Sequence, residues 1–109
     1  MREPSVIRVL GHNIKVQYEN LEDEELHGDY DPNTHTIRID KNLLKSPDVL
    51  RLVIFHELTH VLESYFSIEL TETQVCALST AFIAIIVDNK ELSEWAFGFP
   101  IKGNRKGVG

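Results

Sequence analysis

The sequence is poor in cysteine and in long hydrophobic runs. Its one cysteine, Cys76, has no partner for a disulfide within the chain, and the chain opens with Met-Arg-Glu-Pro rather than with a basic segment and an apolar signal core. The longest apolar run, residues 81–87, is far shorter than the roughly 20 residues that a helix needs to cross a bilayer. We therefore expect a protein of the reducing cytoplasm with no membrane partner, in which this run belongs to a buried helix.

Positive charge is also scarce. The chain has 11 lysines and arginines against 17 aspartates and glutamates, which gives a net charge of -6, and residues 19–25 are especially acidic. A surface that binds phosphate groups needs clustered lysine and arginine. The composition therefore predicts no direct nucleic-acid partner, and we interpret the acidic segment as a solvated loop.

Short β-prone runs occur in the first 40 residues. Residues 6–10 and 14–18 flank a Gly-His-Asn segment whose glycine and asparagine tolerate the positive φ angles of tight turns, so this pattern predicts a hairpin. The turn-rich residues 28–33 lead into residues 35–40, whose isoleucines alternate with polar residues as in a half-buried strand. Together these runs predict a small antiparallel three-stranded sheet with one face open to helices.

Two long helices are predicted in the second half of the chain. Ser46 is placed to cap the first helix, with Pro47 at its first position, and the apolar spacing continues to about Phe66. The predicted core stripe of this helix consists of Leu50, Ile54, Leu58, Val61 and Tyr65. The second helix begins at a capping box of Thr71 and Gln74 and continues to about residue 89, and its apolarity on nearly all sides predicts central packing.

A short third helix is predicted over residues 90–97, because Gly98 and Pro100 follow it. Residues 101–109 have no apolar periodicity and are predicted to be a disordered tail. The expected architecture is therefore one α+β domain over residues 1–100, in which two long helices cover the three-stranded antiparallel sheet.

The first long helix carries the sequence His56-Glu57-Leu58-Thr59-His60. Residues four apart share one face of a helix, so the two imidazoles can reach a single cation from the same side. Glu57 is rotated by about 100° around the helix axis, where it can accept a proton from a zinc-bound water. The motif predicts His56 and His60 as metal ligands and Glu57 as the general base.

A catalytic zinc ion usually has three protein ligands, and no histidine follows His60 in the chain. The nearest downstream acids are Glu63, Glu69 and Glu72. Three ligands spread along one straight helix as far as Glu63 would span about 10 Å, which is too far for one small ion. Glu72 lies in the first turn of the next helix and can approach from the side, so we favour it as the third ligand, with Glu69 as its main alternative.

The other candidate ligands have simpler interpretations. His12 lies in a predicted turn, His27 in an acidic loop and His35 at the start of a strand, so each is expected at the surface. Cys76 lies on the apolar second helix, where a small buried hydrophobic residue is its usual role. We leave these four residues out of the predicted site.

Four segments occur in a fixed order along the chain. They are Gly28-Asp29-Tyr30-Asp31, Ile37-Arg38-Ile39-Asp40, Phe55-His56-Glu57-Leu58-Thr59-His60 and the helix that opens with Glu72. In this order, over about residues 6–89, the chain resembles the ImmA/IrrE-like metallopeptidases and their compact relatives in phages and mobile elements. Thr59 stands where many relatives have glycine, and Val75-Cys76-Ala77 replaces their small-residue pattern.

The resemblance implies a minimal zincin-like domain with the motif helix packed on an antiparallel sheet. It also implies Zn²⁺ as the cofactor, His56, His60 and Glu72 as its ligands, and Glu57 as the general base. The larger relatives carry further domains that would not fit in 109 residues, so the resemblance does not give a substrate.

These features favour a zinc-dependent metallopeptidase that acts on a cytoplasmic protein or peptide. We expect the strand at residues 35–40 to present an exposed sheet edge to an extended substrate, and Tyr30, His35 and Tyr65 are candidates for stabilising the oxyanion. The alternative is an interaction protein that keeps zinc without hydrolysing peptides. A third interpretation is a small interaction module in which the histidines are incidental.

Overall fold

The structure is a computed structural model that describes residues 3–98. Over these residues it contains four β-strands and three α-helices, and it therefore confirms the α+β class. The predicted disordered tail at residues 101–109 lies outside the described range.

The first two strands form the predicted hairpin. Strand β1, Val6–Val9, pairs with β2, His12–Glu19, in antiparallel register. The two residues between the strands, Leu10 and Gly11, have φ angles of 48° and 85°. Two successive positive φ angles are typical of the two-residue turn whose twist matches that of paired strands. The prediction of a hairpin is thus confirmed, with a turn shorter than the sequence suggested.

The rest of the sheet differs from the prediction of three antiparallel strands. Residues 28–31, interpreted from sequence as part of a turn-rich passage, form strand β3, Gly28–Asp31, and β4 spans Thr36–Asp40. The strand order is β1-β2-β4-β3, and β2 pairs with β4 in parallel. The sheet is mixed because the chain crosses from β2 to the far edge, forms β3 there, and returns through β4 beside β2. The prediction that residues 35–40 form an exposed edge is therefore wrong, because β4 is an inner strand and the edges are β1 and β3.

Strand β3 is held by one ion pair and one close backbone approach. The guanidinium of Arg38 on β4 bonds both carboxylate oxygens of Asp29, at 2.9 and 2.6 Å, and also reaches Glu24. At Gly28, an added Cβ would lie 2.9 Å from the carbonyl oxygen of Arg38 and 3.0 Å from Val53 Cγ1. The missing side chain therefore allows the edge strand to lie against the first helix.

Helix α1, Pro47–Phe66, packs on one face of the sheet. The core cluster combines residues of β2 and β4 with the predicted stripe of α1; its buried members are Ile14, Val16, Ile37, Ile39, Leu50, Ile54 and Val61. Leu58 and Tyr65, the other two residues of the stripe, are partly buried against this cluster. The helical spacing thus identified the packing face correctly.

Helix α2, Glu72–Asp88, begins with the predicted capping box. The backbone N–H of Gln74 donates to Thr71 Oγ1, and the backbone N–H of Thr71 donates to Gln74 Oε1. The prediction that it packs centrally is wrong. It packs on α1 rather than on the sheet, and only Val75 and Ser79 among its residues are buried. Its large apolar residues Leu78, Phe82, Ile85 and Val87 are half exposed or more.

The last described element is the short helix α3, Lys90–Phe97, which confirms the prediction of a third helix. It ends at Gly98, whose φ of 73° closes the helix in the left-handed conformation. None of the helices in residues 3–98 combines the length and the apolarity that a membrane crossing requires.

The close approach at Gly28 gives a stability prediction. Gly28→Ala should lower the free energy of unfolding by about 1–3 kcal/mol, because the added methyl group forces β3 away from β4 or α1. Urea unfolding measures this change. Gly11→Asn is the control, since nothing lies within 4 Å of its Cβ position and asparagine tolerates a positive φ. An equal loss in both variants would contradict the steric explanation.

Candidate metal centre

The two histidines of the motif face each other across one turn of α1. The ring centroids of His56 and His60 lie 5.0 Å apart, and the ring planes meet at 68°. Both residues are partly buried on the flank of the helix between its core face and α2. The four-residue spacing therefore produces the side-by-side imidazoles that the sequence predicted.

Helix α2 brings a carboxylate to this pair. Glu72 Oε2 lies 3.2 Å from His56 Nε2, and Glu72 Oε1 lies 3.1 Å from His60 Nε2. Because Glu72 directly follows the capping residue Thr71, the capping box determines where its side chain leaves α2. One atom from each of the three predicted ligands lies within 4.8 Å of the others. The structure thus brings together His56, His60 and Glu72.

This donor set fits zinc. Two imidazole nitrogens and a carboxylate oxygen are usual zinc ligands, and tetrahedral ligands at about 2.0–2.1 Å from the ion lie roughly 3.4 Å from one another. The two nitrogen–oxygen distances of 3.2 and 3.1 Å, which end at different oxygens of the Glu72 carboxylate, are close to that separation. Three protein ligands also leave one position for water or substrate, as catalytic zinc sites do.

Glu57, which follows His56 in the chain and lines the same cavity, is nearly buried. Only 5% of its surface is exposed, and burial raises the pKa of its carboxyl group to about 7. The imidazole of His60 lowers this pKa, whereas the carboxylates of Asp29 and Glu72 raise it further. A carboxyl group with a pKa near neutrality can both accept and release a proton under ordinary conditions, which suits an acid–base catalyst.

Glu63 contacts His60 from the side away from Glu72. Its Oε1 lies 2.6 Å from His60 Nδ1, and its Oε2 accepts a hydrogen bond of 2.7 Å from the amide of Leu70. With Nε2 turned toward Glu72, the tautomer that carries its proton on Nδ1 donates to Glu63, and this bond orients the ring. The Leu70 amide, followed by the His60 imidazole, lowers the pKa of Glu63, which therefore stays ionised.

The position of Glu63 also bears on the choice of third ligand. It bonds the outer nitrogen of His60, and neither Glu63 nor Glu69 belongs to the group of potential metal ligands found among residues 3–98. The sequence analysis considered Glu63 only as a ligand. Its three-residue spacing from His60 was the available signal for a hydrogen bond along the helix surface.

Cys76 lies closer to the site than the sequence suggested. Its Sγ is 3.8 Å from His56 Nδ1, and the residue is exposed, so the prediction of a small buried hydrophobic residue is wrong. The spacing of one helical turn between Glu72 and Cys76 was the signal for this contact. The remaining nitrogen of each motif histidine thus has a neighbour, Glu63 for His60 and Cys76 for His56.

The other histidines lie at the surface, as predicted. His12 and His35 stack with their ring centroids 6.1 Å apart, and both are exposed, as is His27. None of the three belongs to the potential ligand group in the described part of the chain.

The tyrosines proposed as oxyanion partners are packed elsewhere. Tyr30 and Tyr65 pack against the core cluster, and their buried hydroxyl groups have no hydrogen-bond partner among residues 3–98. Neither they nor His35 line the cavity that His56 and Glu57 border. Burial is the main cause that raises the pKa of Tyr30.

A His-Glu-x-x-His helix that packs on a mixed sheet and meets an acid from the following helix is the arrangement of a metallopeptidase-type domain. Comparison with protein-family models agrees with this class, since residues 10–81 match the peptidase model described as the IrrE N-terminal-like domain. The chain therefore belongs to this family, and the ImmA/IrrE-like resemblance is confirmed. No curated protein and no solved structure shows significant similarity to it.

The buried Glu57 carboxyl group predicts a pH-dependent stability of the metal-free protein. Below the usual glutamate pKa of about 4.5, Glu57 is protonated in both the folded and the unfolded protein, and its ionisation does not lower the free energy of unfolding. Between about pH 4.5 and 7 the unfolded chain releases this proton while the folded protein keeps it, so the stability falls by about 3 kcal/mol. Glu57→Gln should therefore equal the unchanged protein at pH 4.5 and exceed it at pH 8.

Urea unfolding in the presence of a chelator at pH 4.5, 6 and 8 measures this difference. Glu69→Gln is the matched control, because Glu69 is exposed and should leave the pH dependence unchanged. A Glu57→Gln effect that is the same at every pH would show that ionisation of Glu57 is not its cause.

Proposed function

We propose that this protein is a zinc-dependent peptidase. The observation that carries the proposal is the contact of the two Glu72 oxygens with the inner nitrogens of His56 and His60. Beside it lies Glu57, a buried carboxyl group whose pKa is raised to about 7. Membership of a peptidase family supports the same reaction class.

The chemistry divides between the cofactor and the protein. His56, His60 and Glu72 would hold the zinc ion, which would supply Lewis-acid chemistry by acidifying a water molecule and polarising the scissile carbonyl group. Glu57 is the proton carrier of the protein, and it would accept a proton from the attacking water and release it to the nitrogen of the leaving amine. Because Glu57 is buried, little solvent competes for the proton while it is held.

The substrate backbone has a docking edge in β3. Asp40 donates its amide hydrogen to the carbonyl oxygen of His27, which makes these two residues a hydrogen-bonded pair. Hydrogen-bonded pairs alternate along an antiparallel ladder, so the amide and carbonyl groups of Gly28 and Tyr30 point away from β4. An extended peptide can bond these free groups, as strands added to a sheet edge do.

The ligand assignment predicts a difference between two neighbouring acids. Glu72→Ala should lower zinc affinity by at least about 100-fold, because one of three protein ligands is lost, whereas Glu69→Ala should retain the affinity. Competition titration against a chromogenic chelator, with the metal content of the purified protein, measures this. Loss of zinc in the Glu69 variant with retention in the Glu72 variant would reverse the assignment.

The same titration examines Glu63. Glu63→Gln should weaken zinc binding by about 10- to 100-fold, because one amide oxygen cannot serve both His60 and Leu70 as two carboxylate oxygens do. If Glu63 were a ligand instead, Glu63→Ala would lose as much zinc affinity as Glu72→Ala and would bind the same amount of zinc per chain.

The catalytic assignment predicts that Glu57→Gln separates zinc binding from hydrolysis. The variant should keep one zinc per chain and lose at least about 100-fold in peptide cleavage, because the amide cannot accept the proton. Cleavage of a proteome-derived peptide mixture, read by mass spectrometry, measures the loss. Equal cleavage by both proteins would contradict the role of Glu57, and zinc binding without any cleavage would favour a non-catalytic zinc protein.

A further inference from the structure

A cavity of about 440 Å³ lies beside the candidate metal centre, between α1, α2 and the segment that enters β3. His56 and Glu57 form part of its wall, so a group that fills it lies next to the reacting atoms of the proposed peptidase. Its volume falls within the range of roughly 300–1,000 Å³ that is typical of small-ligand sites. The reaction described above leaves this space without a role.

The lining of the cavity is mainly apolar. Leu26, Leu52 and Val53 contribute hydrocarbon side chains from two sides. The hydroxyl group of Ser79 on the third side already donates a hydrogen bond of 2.7 Å to the carbonyl oxygen of Val75. Among the described residues that form the wall there is no lysine or arginine. Its two histidines are the exposed His27 and the candidate ligand His56, so no permanent positive charge compensates an acidic side chain for its lost hydration.

The two acids of the wall disfavour a cationic occupant as well. Glu25 is exposed, so a pairing with it would be screened by water. Glu57 is the proposed proton acceptor, and a lysine or arginine bound to it would compete for that role. An uncharged apolar group is the occupant that both leaves Glu57 free and gains from burial against leucine and valine.

Gly28 connects the cavity with the free sheet edge. It lines the cavity, and its own backbone groups point away from β4 toward a pairing substrate strand. Residues directly opposite each other on paired strands place their side chains on the same face of the sheet. The Cβ position of Gly28 is directed at Val53 of α1, so the substrate residue opposite Gly28 turns its side chain toward α1 and the cavity.

We propose that this cavity is the side-chain subsite of the enzyme and that it selects an apolar residue of leucine to phenylalanine size, held opposite Gly28. The proposal rests on the proposed peptidase function and adds the substrate class to it. Leu52 is the residue chosen to probe the size limit, because it lines the cavity, is 38% exposed and does not belong to the core cluster. Its side chain can therefore be shortened without opening the core.

The first experiment reads the specificity of cleavage. Zinc-loaded protein is incubated with a proteome-derived peptide mixture, and the residues around each cleaved bond are counted. One position should favour leucine, methionine or phenylalanine over glycine and lysine by about 10- to 100-fold, which is the discrimination expected for a buried apolar side chain. Leu52→Ala should shift this position toward phenylalanine and tryptophan and lower the preference for leucine.

Leu62→Ala is the matched control. Leu62 lies on the same helix and is 39% exposed, but it does not line the cavity. It should leave the preference unchanged. Cleavage with no apolar preference, or a preference that Leu62→Ala changes as much as Leu52→Ala does, would overturn the subsite while leaving the peptidase function intact.

The second experiment does not need activity. N-acetyl-leucine amide is titrated into methyl-labelled protein and followed by NMR, with N-acetyl-lysine amide and N-acetyl-glycine amide as comparison probes. The leucine probe should shift the methyl signals of Leu26, Leu52 and Val53, and Leu52→Ala should weaken its binding several-fold. If the leucine probe causes these shifts but no peptide is cleaved, the subsite is supported and the peptidase function is refuted. If all three probes cause equal shifts, or if no probe causes a shift, the subsite is refuted.

Discussion

The contact on which the site depends is that of one carboxylate with two imidazoles on a neighbouring helix. Glu72 is largely exposed, with 69% of its side-chain surface accessible, so its attraction to His56 and His60 in water is weak. Such a contact cannot hold α2 in place by itself. The position of Glu72 must therefore be fixed by interactions that need no metal ion, and the interface between α1 and α2 supplies them.

Three such interactions surround the ligands. The Glu63 carboxylate bonds the backbone of Leu70 and so ties the connection between the helices to the end of α1. About two turns into α2, Ser79 Oγ lies 3.3 Å from Thr59 Oγ1, inside the motif itself. Farther along, the rings of Phe55 and Phe82 pack with centroids 5.9 Å apart. Each contact joins a residue within four positions of a motif histidine to α2 or to the segment that precedes it, so ordinary packing and hydrogen bonding bring the three candidate ligands together.

The same observations show what the sequence could predict. Helix α1 and its core stripe follow from the spacing of apolar residues, and the start of α2 follows from the side chains of Thr71 and Gln74, because both signals are local. The proximity of the three candidate ligands follows from these local signals and from the short connection between the helices. The spacing of the motif and the position of the capping box therefore predicted that His56, His60 and Glu72 lie together.

The predictions that were wrong or missing share one physical cause. Each of these features depends on contacts between residues that are distant in the sequence. Strand β3 contains a glycine and two aspartates, which are poor strand formers, and it exists because Arg38 binds Asp29 and because Gly28 fits against α1. The parallel pairing of β2 with β4 follows from the placement of β3 at the edge. The hydrophobicity of α2 predicted burial, but within residues 3–98 its helix contacts are with α1 and the short α3, and its outer face is exposed. The bond of Glu63 to His60 could be predicted from their spacing, but its bond to the Leu70 backbone could not, because no local pattern gives the position of Leu70.

The burial of the Glu57 carboxyl group has no explanation in the stability of the fold. An apolar side chain at this buried position would fold without the loss of about 3 kcal/mol that an ionisable group causes at neutral pH, and that loss is large against the roughly 5–15 kcal/mol that stabilises a typical domain. A cation bound beside His60 would favour the ionised form of Glu57 and reduce this loss, in the same direction in which the His60 imidazole shifts the Glu57 pKa. The buried carboxyl group and the paired imidazoles therefore belong to one arrangement, since an ion held by the histidines would also stabilise the ionised form of Glu57.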